Sequence, residues 1–156
     1  MSDLIKTELP LTDDERAILK IIVSAIIPAS EEFNLPGADD MEIFNRILSR
    51  GQKHEELLRQ GTKTIDEQSL ARFAAPFVES SIADQSVLIG ELKNSNSPFV
   101  PVLLSITLQG YYQDPRVLES VGMEARPPFP QGYEVEQGDW SLLDPVRNRD
   151  KFYRKV

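Results

Sequence analysis

The sequence predicts an all-α fold, a compact bundle of about five to six helices followed by a long, irregular, proline-rich C-terminal strap. Three observations predict it. Apolar residues recur at helical spacing through most of residues 12–122. Several of these runs open on Ser, Thr or Asp and close on Gly or Pro, the residues that start and stop helices. After Gly122 the spacing is lost, and no alternating run long enough for a strand appears anywhere. The expected organisation is a flexible N-terminal arm at 1–11, a helical domain at 12–122 and an extended strap at 123–156.

The first helix starts at Thr12. In Thr12-Asp13-Asp14-Glu15 the Thr12 hydroxyl and the Glu15 carboxylate each meet an orphan backbone N–H, and the aspartates suit the positive end of the helix dipole. Pro28 stops it near Ile27. Its polar stripe is only Asp13, Arg16, Lys20 and Ser24, so it is expected to be central and buried on most sides. Asp39 or Asp40 caps a second helix, from Met41 to about Arg50, with Met41, Ile43, Phe44, Ile47 and Leu48 on one side. Gly51 ends it. His54 to Leu58 supplies a further turn or two before Gly61.

A third helix is expected over Ile65–Ala74, with Leu70, Phe73 and Ala74 on one face, ended by Pro76. Ser81 opens another, running to about Lys93, with Ile82, Leu88, Ile89 and Leu92 as its apolar side. Ser97-Pro98 starts the next, with proline in the tolerated first turn. That helix carries Val100, Leu103, Leu104, Thr107, Leu108 and Tyr111. Asp114-Pro115 caps a short helix stopping at Gly122. Beyond it the strap holds Pro127, Pro128, Pro130 and Pro145, yet also Phe129, Tyr133, Trp140, Leu142, Leu143, Phe152 and Tyr153. A free disordered tail rarely carries so many large apolar groups, so the strap is expected to pack along its own domain or across a partner.

Composition narrows the function. The 156 residues, 40% hydrophobic and 27% charged, suit one soluble domain. The net charge of −8 repels phosphate backbones and argues against nucleic acid. The charge is uneven, with Arg147, Arg149, Lys151, Arg154 and Lys155 against Asp144 and Asp150 in the last 13 residues. That tail is therefore +3, and residues 1–143 carry −11. The absence of cysteine excludes disulfides, thiolate catalysis and Cys-ligated metals. The most apolar stretch, Ala17 to Ile27, is broken by Lys20 and far short of the roughly 20 residues that span a bilayer. No targeting segment is visible, so a cytoplasmic protein is expected, or a periplasmic one if it is exported with a signal-bearing partner.

Catalytic and cofactor constellations are scarce. The single histidine, His54, cannot furnish a di-iron bundle or a His-rich zinc site, and it lies in the charged run His54-Glu55-Glu56. Neither glycine-rich nucleotide loop is present. Asp39 and Asp40 are better explained as helix caps than as an acid–base pair. With Glu31 and Glu32 they lack EF-hand spacing. No catalytic, cofactor or metal residue is assigned to this chain.

The densest motif is Thr107-Leu108-Gln109-Gly110-Tyr111-Tyr112-Gln113-Asp114-Pro115-Arg116-Val117. Together with Leu11-Thr12, Glu15-Arg16-Ala17, Ile26-Ile27-Pro28, Pro36-Gly37-Ala38, Arg72-Phe73, Pro76-Phe77, Asp84-Gln85, Pro127-Pro128, Gly132-Tyr133 and Leu143-Asp144-Pro145-Val146-Arg147, it resembles the gluconate 2-dehydrogenase subunit 3 family. The resemblance implies a non-catalytic small subunit, chaperone-like, that binds a large FAD-dependent dehydrogenase of the glucose–methanol–choline type and supports its folding. It implies that FAD and active site belong to that large subunit. The family's small subunits often carry a twin-arginine export signal, and this sequence shows none.

The residues of the motif have their own physical reading. Gly110 admits a close neighbour, Tyr111 and Tyr112 are amphipathic rings, and Arg116 suits a carboxylate. Tyr111, Asp114 and Arg116 either lock the domain's own helix–turn–helix or help meet a partner. The candidate partner interface is Tyr111, Tyr112, Arg116, Phe129, Tyr133 and Trp140. The alternative class is a free-standing helical protein that binds a small molecule or self-associates.

Overall fold

A computed structural model describes residues 9–126, 129–132, 134 and 138–150. The chain divides into two units, Met1–Ala125 and Arg126–Val156. The first holds six α-helices: α1 Asp13–Ile26, α2 Met41–Gly51, α3 Glu55–Phe73, α4 Ile82–Lys93, α5 Phe99–Tyr111 and α6 Pro115–Ser120. Among the described residues there is no strand, only an isolated bridge between Ser30 and Leu35 in the α1–α2 loop. The expected all-α bundle is the observed fold.

The capping residues do what their chemistry dictates. Thr12 and Glu15 form the reciprocal capping box on α1. Asp40, not Asp39, caps α2 by accepting from the backbone N–H groups of Glu42 and Ile43. Ser81 caps α4 and Asp114 caps α6, with Pro115 in the first turn. α1 contacts α3, α5 and the short 3-10 turn Phe77–Glu79, and it sends Ile18, Leu19, Ile22 and Val23 into the core. Its central position is as expected.

Three expectations are corrected. Leu9 and Leu11, assigned to a loose arm, are core residues. Arg16 donates to the Leu9 and Leu11 carbonyls, and Arg59 donates to the Pro10 carbonyl while pairing with Glu15 and Glu55. Burying two leucines contributes about 2 kcal/mol each. Ordering three residues costs about 1–2 kcal/mol apiece, so the two terms are comparable and the arginine bonds favour order. The rest of the arm, residues 1–8, lies outside the described residues.

Second, Gly61 does not divide the chain. Residues 55–73 form one continuous helix, the longest in the unit, and Gly51 leads into it through the 3-10 turn Gln52–His54. Gly61 serves packing instead, since a Cβ there would lie 2.1 Å from the ring of Phe99 on α5. Third, several apolar residues assigned inward face solvent. Met41, Ile82 and Leu70 are exposed, and the buried face of α3 is Leu58, Thr62, Ile65 and Ser69. Thr62 can sit there because its hydroxyl returns to the Leu58 and Arg59 carbonyls. The α3–α4 connection is pinned by polar contacts. Asp66 accepts from the Phe77 N–H, Gln85 donates to the Phe77 carbonyl, and Ser69 and Ser80 share a hydrogen bond.

Two short helical elements occur among the described residues of the second unit. Asp139 caps a 3-10 turn, Trp140–Leu143, by accepting from the Ser141 N–H, and one α-turn follows, α7 Asp144–Arg147.

Gly61 and Gly90 make opposite predictions under the same substitution. Alanine favours a helix interior by about 1 kcal/mol over glycine. Gly90 has open space where a Cβ would go, so Gly90→Ala should stabilise the protein by about 0.5–1 kcal/mol. Gly61→Ala should destabilise it by about 1–3 kcal/mol, because the Phe99 ring is buried and cannot yield freely. Urea midpoints of the two variants check both signs.

Candidate functional site

The motif around Gly110 lies where α2 crosses α5. Gly110 permits that crossing, since a Cβ would come within 2.7 Å of Ile47 Cγ1 and 3.2 Å of its backbone N. α5 then ends at Tyr111, and a turn of three residues brings Asp114 to the start of α6.

Asp114 is fully buried and its carboxylate is saturated. It accepts from Arg116 Nε at 2.8 Å and Nη2 at 2.9 Å, from Arg46 Nη1 at 2.6 Å, and from the Arg116 backbone N–H at 3.0 Å. Arg116 also reaches Asp40, with Nη2 to Oδ1 at 2.8 Å and Nη1 to Oδ2 at 3.2 Å. One guanidinium thus bridges the capping carboxylates of α2 and α6. A planar five-donor fork suits this, whereas a lysine ammonium would lack the paired geometry.

The electrostatics follow. The Arg116 guanidinium holds the Asp114 carboxyl far below the ordinary carboxylate range. Burial opposes this, while Arg46 and the Arg116 N–H reinforce it. Arg116 likewise lowers Asp40, and Asp114 foremost, then Asp40, raises Arg116. Both aspartates stay ionised near neutrality, so neither suits general acid–base work there. The cluster is an electrostatic clamp. Among the described residues no group of three or more His, Cys, Asp or Glu could hold a metal ion, and no helix is long and apolar enough to cross a membrane.

The described candidate interface residues differ in burial and in what they touch. Tyr111 is only 5% exposed, and its hydroxyl donates to the Pro36 carbonyl at 3.1 Å. Burial first, then Tyr112 and Asp114, raise its pKa. Tyr111 is therefore corrected to an intradomain residue with almost no ring left for a partner. Arg116 belongs to the clamp. Tyr112 stands edge-on to Tyr111, centroids 5.4 Å apart, and is 52% exposed. In the second unit Trp140 is 61% and Phe129 84% exposed. Tyr133 lies outside the described residues.

Sequence reasoning missed Arg46 and the role of Asp40 as a second anchor, since nothing local links residues 68 and 76 positions from their partners. It also missed the α5 stripe formed by Leu104, Leu108 and Tyr112, all exposed. Their spacing of four gives the signal, but the apolar residues between them hide it.

A family model, gluconate 2-dehydrogenase subunit 3, matches residues 13–127. The chain belongs to that family. The match spans all six helices of the first unit and includes the clamp. Neither the curated proteins nor the solved structures searched gave a match.

The clamp sets an acid limit. Because the folded pKa of Asp114 is depressed, its stabilisation is complete above the unfolded value of about 3.9 and is lost as pH falls from there through the folded value. Asp114→Asn should lower stability at pH 7 by about 3 kcal/mol, leaving two arginines facing a neutral group. It should also flatten the decline below about pH 4. Urea unfolding at pH 7 and pH 3 measures both effects.

Proposed function

We propose that this chain is the small, non-catalytic subunit of a dehydrogenase complex. It binds and stabilises a large FAD-dependent subunit of the glucose–methanol–choline type that oxidises a sugar or polyol. The match over residues 13–127 carries the proposal, because the family is named for a subunit of gluconate 2-dehydrogenase. The surface supports it. Tyr112 on the first unit and Phe129 and Trp140 on the second present large apolar area to solvent, and aromatic residues of this kind anchor interfaces. In this reading the clamp works indirectly. It fixes the end of α5 and thereby the direction in which Tyr112 projects.

Pull-down of the tagged chain from native extract tests the reading, followed by a spectrum of the eluate. A co-eluting flavoprotein with sugar or polyol dehydrogenase activity is the expected result. A colourless eluate without a partner overturns it. Tyr112→Ala and Trp140→Ala should each weaken the complex about 30-fold, a loss near 2 kcal/mol. The melting temperature of the isolated chain should stay unchanged, since both side chains are largely exposed.

A further inference from the structure

The first unit holds a second apolar feature, away from the clamp. A cleft of about 290 Å³ opens between α1, α4 and α5. Buried Ile22, Phe99 and Leu103 form its floor. Its rim includes Ala25 and Leu104, both exposed. Each wall is a helical row at spacings of three or four: Ile22, Ala25 and Ile26 on α1, Ile89 and Leu92 on α4, and Val100, Leu103 and Leu104 on α5. Such rows form ridges and a groove, the shape into which the ridge of another helix packs.

Among the described residues, Lys93 is the only charged one lining the cleft. Lys93 is exposed, and the ion pairs among the described residues do not include it. The groove therefore offers apolar contact along its length and one exposed positive charge at its edge. Its volume lies at the lower edge of the range for enclosed small-molecule sites, about 300–1,000 Å³, and its walls are continuous at Leu104 with the exposed Leu104–Leu108–Tyr112 stripe.

We infer that the α1–α4–α5 cleft receives an amphipathic helix of the dehydrogenase subunit, with apolar anchors three or four residues apart and a carboxylate that meets Lys93. The inference rests on the subunit reading and adds to it the face and the chemistry of the docking element. Leu104 joins the cleft to the Tyr112 surface, so one helix entering the cleft and a contact on Tyr112 belong to one continuous interface.

The test uses the full chain co-expressed with the flavoprotein captured above. Leu104→Glu and Lys93→Glu alter exposed positions and should leave the circular dichroism spectrum and melting temperature of the isolated chain intact. Leu104→Glu should reduce recovery of the flavoprotein at least tenfold. Lys93→Glu should reduce it several-fold at low salt, with the difference from the parent shrinking at high salt. Parent-like recovery with both variants overturns the cleft assignment and leaves the subunit reading standing. Failure of the parent chain to recover any flavoprotein overturns the subunit reading itself. A loss with Leu104→Glu but none with Lys93→Glu at any salt overturns the carboxylate-bearing helix.

Discussion

The close crossing of α2 and α5 is the constraint on which the first unit depends. At Gly110 the backbone of α5 approaches Ile47 so nearly that no side chain fits between them. That approach brings Arg46, one residue before Ile47, within reach of Asp114, just beyond the end of α5. It also brings the start of α2 beside the start of α6, so that Arg116 spans both. The apolar contact and the ionic one are two sides of the same geometry. Widening the crossing would strand a buried carboxylate, and losing the carboxylate would uncap α6. Forming a buried ion pair adds little net stability, but breaking one by removing a partner leaves an uncompensated charge and costs several kcal/mol, about 3–5. Here the pair ties α2 to the start of α6 at two points, Arg46 to Asp114 and Asp40 to Arg116.

In the subunit reading proposed above, that geometry bears on function through Tyr112. Its ring stands on the edge of Tyr111, which is itself held by burial and by the Pro36 carbonyl. A partner meeting Tyr112 meets a side chain whose position is settled beforehand. Pre-organised aromatic anchors lose little conformational freedom on binding. The most densely patterned stretch of the sequence is therefore mostly internal support.

Much of the architecture is legible in the sequence because helix starts are local. Thr12 with Glu15, Ser81, and Asp114 with Pro115 each signal a helix within four residues of chain. Other features depend on neighbours that are remote in sequence. Gly61 looks like a stop until the Phe99 ring against it is known. Leu9 and Leu11 look like an arm until Arg16 and Arg59 are seen to hold their backbone. The apolar residues of α3 and α5 outnumber the inward positions, so periodicity alone could not separate Leu70 from Ile65, or Leu104 from Leu103. The candidate site was legible as a motif and illegible as a clamp, since Asp40 and Arg46 lie far from it in the chain.

The separation of 76 residues between Asp40 and Arg116 has a consequence for biosynthesis. At elongation rates of about 5–20 residues per second, Asp40 is made roughly 4–15 s before the arginine that completes the clamp. For most of that interval α1 and α2 exist without the α5 surface that covers them, since α5 is completed only five residues before Arg116. The nascent chain therefore carries its Ile- and Leu-rich faces uncovered, and the first unit closes only when its last helix emerges. A transcript broken before Asp114 would yield α1–α5 with Asp40 and Arg46 lacking the partners that complete the clamp.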